Sequence, residues 1–136
     1  MSSQKTLSII KPDAVKAGHA DAINLMIENS GLKILEKKEL QLSKEEAQKF
    51  YSVHSDKPFY EELCKFMTSG TIIVQILEGE NAIELYRKVM GATNPEDAEE
   101  NTIRKKFATS IQENAVHGSD SVDNAIKELN FFFKDI

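Results

Sequence analysis

The run Thr71-Ile72-Ile73-Val74-Gln75-Ile76-Leu77 constrains this chain more than any other stretch, with Ser69-Gly70 breaking the chain before it and Glu78-Gly79 following. β-Branched side chains lose freedom in a helix and pack well on a pleated surface, so the run reads as a central strand. A second stretch, Thr6-Leu7-Ser8-Ile9-Ile10, alternates hydroxyl and aliphatic residues until Lys11-Pro12 ends it. It reads as a buried strand that delivers Lys11 at its tip, since proline cannot donate to a ladder.

Around these strands the pattern turns helical. Ile23, Met26 and Ile27 follow the i, i+3, i+4 spacing of an amphipathic helix that Gly31 terminates. Leu32, Ile34, Leu40 and Leu42 then fall on one face of a long strand with Glu36 and Lys38 between them, so its middle is expected to be exposed or bent. Ser43-Lys44-Glu45-Glu46 is a capping box, with Ala47, Phe50, Tyr51 and His54 continuing at helical spacing. After Pro58 a shorter helix carries Phe59, Leu63, Phe66 and Met67 on one face. By pattern alone, Tyr51 and Phe59 are core-packing residues. Beyond the central strand Ile83, Tyr86, Val89 and Met90 align on another helix, with Arg87 beside Tyr86.

From Gly91 to Glu113 the chain is turn-forming and acidic, and only Thr102 to Phe107 has the pattern of a short helix. A loop this long in a small domain is usually functional or mobile, and this one carries Arg104, Lys105 and Lys106. In the final helix Val122, Ala125, Ile126 and Leu129 trace an apolar stripe, and Glu128 borders it. Phe131-Phe132-Phe133 must cover the core or a partner subunit.

A length of 136 residues with 40% hydrophobic content suits a single domain over 1–136 with its own core. With 22 acidic and 17 basic residues the formal charge is -5, which provides no global field for nucleic acid or anionic membrane. Any phosphate must meet a local cluster of cations. One cysteine, Cys64, excludes an internal disulfide and a paired-cysteine zinc site, and suits a reducing compartment. Met1-Ser2-Ser3-Gln4-Lys5 lacks a signal-type apolar core, and no apolar run approaches the roughly 18 residues that cross a bilayer. The expectation is a soluble, cytoplasmic protein.

The chemistry concentrates in Asn114-Ala115-Val116-His117-Gly118-Ser119-Asp120, where an amide, an imidazole, a hydroxyl and a carboxylate fall together. Gly118 is expected to allow unusual backbone angles and close ligand approach. Glycine-rich phosphate-binding signatures are absent, so a nucleotide would be held by side chains. His19, His54 and His117 are too scattered to make a metal centre by spacing. Two roles remain open to His117, general base or nucleophile. A nucleophile toward phosphorus needs a neutral imidazole, a partner that fixes the tautomer and cations on the leaving phosphates. Glu128, Lys11, Arg87 and Arg104 can supply these if the fold brings them together.

The chain resembles nucleoside diphosphate kinases over nearly its full length, from Thr6 through Lys11-Pro12-Asp13-Ala14-Val15 to the closing phenylalanines. Residues 114–120 look like that family's active-site signature. Tyr51 through His54, Lys57-Pro58-Phe59, Met90-Gly91-Ala92-Thr93-Asn94-Pro95 and Thr102-Ile103-Arg104 accompany it in the same order. The resemblance implies a ping-pong reaction in which His117 takes the γ-phosphate of ATP or another nucleoside triphosphate and passes it to a nucleoside diphosphate. It further implies Mg²⁺ on the nucleotide phosphates, phosphate contacts from Arg87, Thr93 and Arg104, and a bridging role for Lys11 between ribose and the transferred group. Asn114 matches a ribose contact, Phe59 the surface on which the base stacks, and Ile111 an aliphatic residue opposite it. Glu128 matches the residue that orients the histidine, Ser119 a residue bonded to that glutamate, and Tyr51 one that holds the pocket.

Helices between the strands point, on element order alone, to a parallel doubly wound sheet. The family resemblance implies instead an α+β fold, a ferredoxin-like βαββαβ unit with a four-stranded antiparallel sheet and added helices. It also implies a homo-hexamer or homo-tetramer, and an ending soon after Phe133 matches bacterial members. Asp21, Met26-Ile27, Thr71 and Glu100-Asn101 depart from the family pattern, the last in the loop before Arg104, where asparagine tolerates positive φ. The rival reading is a binding or regulatory protein that keeps the pocket without the chemistry. Sequence-specific nucleic-acid binding is disfavoured by the charge and the lack of a basic stripe.

Overall fold

The computed structural model describes residues 3–110 and 113–133. Strand β1 (Ser3–Ile10) is followed by helices α1 (Pro12–Lys16) and α2 (Ala20–Asn29), then β2 (Lys33–Leu40). Helices α3 (Lys44–Phe50) and α4 (Tyr60–Met67) lead to β3 (Ile72–Glu80) and α5 (Ala82–Met90). After the long loop and its helix α6 (Ile103–Phe107) come β4 (Val116–Gly118) and α7 (Val122–Phe132).

The sheet order is β2-β3-β1-β4, and every neighbouring pair is antiparallel. This corrects the parallel sheet that element order alone implies and matches the ferredoxin-like expectation. The crossovers from β1 to β2 and from β3 to β4 do join strands of one direction. Each skips over a strand, so no two parallel strands become neighbours.

Both faces of the sheet are covered, which explains the unbroken apolar runs. Leu7, Ile9, Ile72, Val74 and Ile76 pack with Ala47, Met67, Leu129 and Phe133 on one face. Ile10, Ile73 and Leu77 pack with Ile23, Ile27, Tyr86 and Met90 on the other. Full burial of one such aliphatic side chain is worth about 1.5–3 kcal/mol. The phenylalanine run turns inward, with Phe133 buried and Phe132 packed against the first of these faces.

The expected capping box at Ser43 is present, with Ser43 Oγ accepting from the Glu46 amide and the Glu46 carboxylate accepting from the Ser43 amide. Two apolar stripes differ from expectation. In β2, the register against β3 shifts between Ile34 and Glu36, so Leu35 is an extra residue and the strand bends there. An inserted residue reverses which face later side chains meet. Leu32 and Ile34 therefore join one core face while Leu40 and Leu42 join the other, rather than all four sharing one. In α7, Ala125 and Leu129 are buried but Val122 and Ile126 are 53% and 55% exposed, because the helix settles on one narrow edge of its stripe.

Candidate active site

Lys11, His54, Phe59, Leu63, Arg87, Met90, Thr93, Arg104, Asn114, His117, Gly118 and Asp120 line one cavity of about 650 Å³ at the end of the sheet. The antiparallel sheet explains how residues so distant in sequence meet. β1 ends beside the start of β4, with Lys11 just beyond it, and the Ile9–His117 pairing fixes the histidine against β1. The loop after α5 then passes over the opening with Thr93, and α6 returns Arg104 to it.

His117 Nε2 lies 3.0 Å from Glu128 Oε1, and Ser119 Oγ donates to the same oxygen at 2.8 Å. An ionised carboxylate can only accept, so Nε2 carries the ring proton and Nδ1 keeps a free lone pair. The Phe50 ring meets the imidazole edge-on at 5.8 Å and limits its rotation. The ring is thus held by one nitrogen while the other faces away from the carboxylate.

The cations are held with equal care. Lys11 Nζ donates to Asn114 Oδ1 at 2.7 Å, and Asn114 Nδ2 donates to the Thr93 carbonyl at 3.1 Å. Burial, reinforced by the Arg104 guanidinium and opposed by Asp13, pushes the Lys11 amine down to about 8. Arg104 is buried and donates to the carbonyls of Gly91, Val116 and Asn114 at 3.0, 2.9 and 3.4 Å. Three of the five guanidinium N–H groups thus tie the long loop to β4, and two remain for a ligand. Burial also lowers the affinity of Arg104 for its proton. Arg87 is exposed on α5 and lines the cavity.

Phe59 is 47% exposed on the cavity wall, its ring 5.6 Å from that of His54, so it stands at the cavity surface and not in the core. Tyr51 is the reverse case. It is 5% exposed and packed in the core, edge-on to Phe50, with its hydroxyl unpartnered among the described residues. Burial, with the nearby Glu128 carboxylate, pushes that hydroxyl well above the ordinary tyrosine range. The structure thus places Tyr51 behind the cavity wall, supporting Phe50 and through it His117. Ile111 lies outside the described residues.

Gly118 does not take a positive φ, contrary to the expectation of unusual angles there. It is needed for room, because a Cβ at this position would sit 2.7 Å from both Met90 Cε and Tyr86 Cδ2. The unusual backbone lies at Ala115, with φ 72°, where pattern reading offered no signal. Asn101 is also at positive φ, 69°, as expected for asparagine in that loop. His54 and Asp120, the carboxylate of the 114–120 stretch, also line the cavity; Asp120 Oδ1 accepts from Asn124 Nδ2 at 2.6 Å, a bond that holds its carboxyl below the usual range.

The model of the family described as nucleoside diphosphate kinase matches residues 4–136. The chain belongs to the nucleoside diphosphate kinase family. A nucleoside diphosphate kinase of Methylobacterium radiotolerans is 55% identical over 135 residues, covering 99% of this chain and 96% of that one. One from a Wolbachia of Drosophila simulans is 56% identical, covering 99% and 97%. Among solved structures, the nucleoside diphosphate kinase of Aquifex aeolicus superposes with a TM-score of 0.93 at 38% identity, covering 98% of this chain and 97% of that one. The halophilic enzyme of Halobacterium salinarum in complex with CDP gives 0.94 at 35%, covering 98% and 90%. In this family member the signature stretch is therefore read with its geometry in place, from the Glu128-bound imidazole to the cations around it.

Proposed function

We propose that this chain transfers the γ-phosphate of a nucleoside triphosphate to a nucleoside diphosphate by a ping-pong route through His117. The observation that carries the reading is the pair of bonds at Glu128 Oε1, which leaves Nδ1 of a cavity-lining histidine as the free nucleophile. In the first half-reaction the Nδ1 lone pair forms a bond to the γ-phosphorus while the bond to the β-phosphate oxygen breaks, and the diphosphate leaves with that electron pair. In the second, a terminal oxygen of another diphosphate attacks the phosphorus and the N–P bond breaks. Phosphoryl transfer asks little covalent work of a protein and much positioning and charge stabilisation, which Lys11, Arg87, Thr93 and Arg104 provide. Asn114 holds the ribose and Lys11 together, and the base stacks on Phe59.

A stacked base presents a face that every base has, so discrimination between bases is weak, and the reading includes tolerance of either sugar. Among the described residues no three His, Cys, Asp or Glu side chains gather to hold a metal, and Asp120 is the one carboxylate on the cavity wall. This donor set fits Mg²⁺ that arrives on the nucleotide phosphates and shares their charge. The reading includes cytoplasmic localisation and self-assembly into a homo-hexamer or homo-tetramer. Leu25 and Leu35, 59% and 44% exposed, supply apolar surface for assembly, which sedimentation velocity measures.

Initial rates with ATP and a second diphosphate test the route. Parallel double-reciprocal lines, and loss of all turnover in His117→Ala, are expected. Intersecting lines would require both nucleotides to be bound at once and would exclude the ping-pong route. Nucleotide binding without turnover would favour the binding-protein reading.

A further inference from the structure

The turn between Asn114 and Val116 is the most strained backbone near the site. Ala115 has φ 72°, and the Val116 amide donates to the Asn114 carbonyl at 2.8 Å across it. A three-residue turn of this hand is rare for an L residue and persists only where its surroundings enforce it. Ala115 is fully buried, so water cannot satisfy its peptide groups. Both are satisfied instead by the segment after β1. The Lys11 amide donates to the Ala115 carbonyl at 2.8 Å, and the Ala115 amide donates to Asp13 Oδ2 at 3.1 Å. The first bond is backbone to backbone and would survive any substitution that keeps an amide at position 11. The second depends on one side chain.

We propose that Asp13 is a positioning residue for phosphoryl transfer: its carboxylate holds the Ala115 turn, and that turn sets Asn114 and His117 in register with the cations. Asn114 stands immediately before the turn and carries the contact to Lys11, while His117 stands two residues after Ala115 in β4. If the Ala115 peptide relaxes toward negative φ, Asn114 and the strand that carries the nucleophile are displaced in opposite senses. The assignment rests on the proposed phosphotransfer, and it gives the carboxylate a use that neither the nucleotide contacts nor the core requires. Burial of the carboxyl, which raises its affinity for a proton, is a cost that a surface residue of α1 would not carry.

The test compares Asp13→Ala, Asp13→Asn and the double variant Asp13→Ala with Ala115→Gly, in single-turnover phosphorylation of the full chain by ATP and Mg²⁺. Misplacement of reacting groups by about 1 Å can cost on the order of a hundredfold. Asp13→Ala is expected to phosphorylate between about tenfold and a hundredfold more slowly than wild type. Asp13→Asn keeps an oxygen that accepts from the Ala115 amide and should stay within about threefold. Glycine adopts positive φ without strain, so the double variant should recover most of the lost rate. A wild-type rate in Asp13→Ala overturns the proposal, as does a folded double variant no faster than Asp13→Ala. If Asp13→Ala does not fold, the double variant decides alone: folding with a near-wild-type rate supports the turn-holding role, and failure to fold overturns it. Absence of phosphorylation in wild type would instead overturn the phosphotransfer reading.

Discussion

Raising the pH should shut the site down through Lys11. Its amine falls from the usual 10.5 to about 8, chiefly through burial and then through Arg104, with Asp13 opposing. At about 1.4 kcal/mol per pH unit, that fall corresponds to roughly 3 kcal/mol against the charged amine in the empty cavity. In the proposed route the ammonium stabilises the phosphate in flight, and below pH 8 it is present. At pH 9 about one molecule in ten still carries it, so kcat/KM for ATP, which reports the free enzyme, should fall to roughly a tenth of its plateau. Burial pushes the Tyr51 and Tyr86 hydroxyls and the Cys64 thiol upward, away from this window. Lys11→Arg keeps its charge throughout and should show a lower plateau without the basic limb. The same burial has a stability consequence. Between about pH 8 and 10.5 the unfolded chain binds the extra proton, so the nucleotide-free protein should gain up to roughly 3 kcal/mol across that window. Steady-state rates from pH 6.5 to 9.5 are the assay. A flat kcat/KM between pH 7 and 9.5, or an unchanged limb in Lys11→Arg, would refute the reasoning.

Gly118→Ala drives a methyl to 2.7 Å from Tyr86, whose hydroxyl is anchored 2.7 Å from Ser8 Oγ and cannot retreat. Overpacking of this kind costs about 1–3 kcal/mol, and thermal melts that match wild type would contradict it. Phe59→Ala should weaken nucleotide binding by about 1–3 kcal/mol in calorimetry while leaving the melting temperature near wild type, because the ring is half exposed; unchanged affinity would remove it from the site. Ser43→Ala loses the cap of α3, about 1 kcal/mol by chemical denaturation, with no change in turnover.

Local rules carried most of the elements. The β-branched run at Ile72–Leu77, the Ser43 capping box and the short helix after Thr102 each announce themselves through bonding or packing within a few residues. What escaped pattern reading depends on partners far away. Glu36 and Lys38 signal the exposed, bent middle of β2, but the extra residue at Leu35 is defined by its register against β3, and no local signal says that the faces reverse there. Val122 and Ile126 match helical spacing as well as Leu129 does, and only the neighbouring elements decide which of them is covered. At the site, family resemblance supplied the membership of the cavity, and the geometry supplied divisions of labour. Arg104 spends three donors on backbone, Tyr51 acts from behind the wall, and the strained residue is Ala115 rather than Gly118. Asp13 had no signal beyond its place after Lys11-Pro12, because its role is a bond to an amide 102 positions away.

In the proposed route Glu128 holds Nε2 of His117, and Nδ1 takes the phosphoryl group. Phosphoenzyme made with ATP and Mg²⁺, on protein labelled with ¹⁵N in its histidine rings, tests it directly by ³¹P and ¹⁵N NMR. The expected product is an acid-labile, base-stable phosphohistidine with phosphorus coupled to Nδ1 of His117, discharged on addition of a nucleoside diphosphate. Phosphorus on Nε2, or a label that survives in His117→Ala, would contradict it.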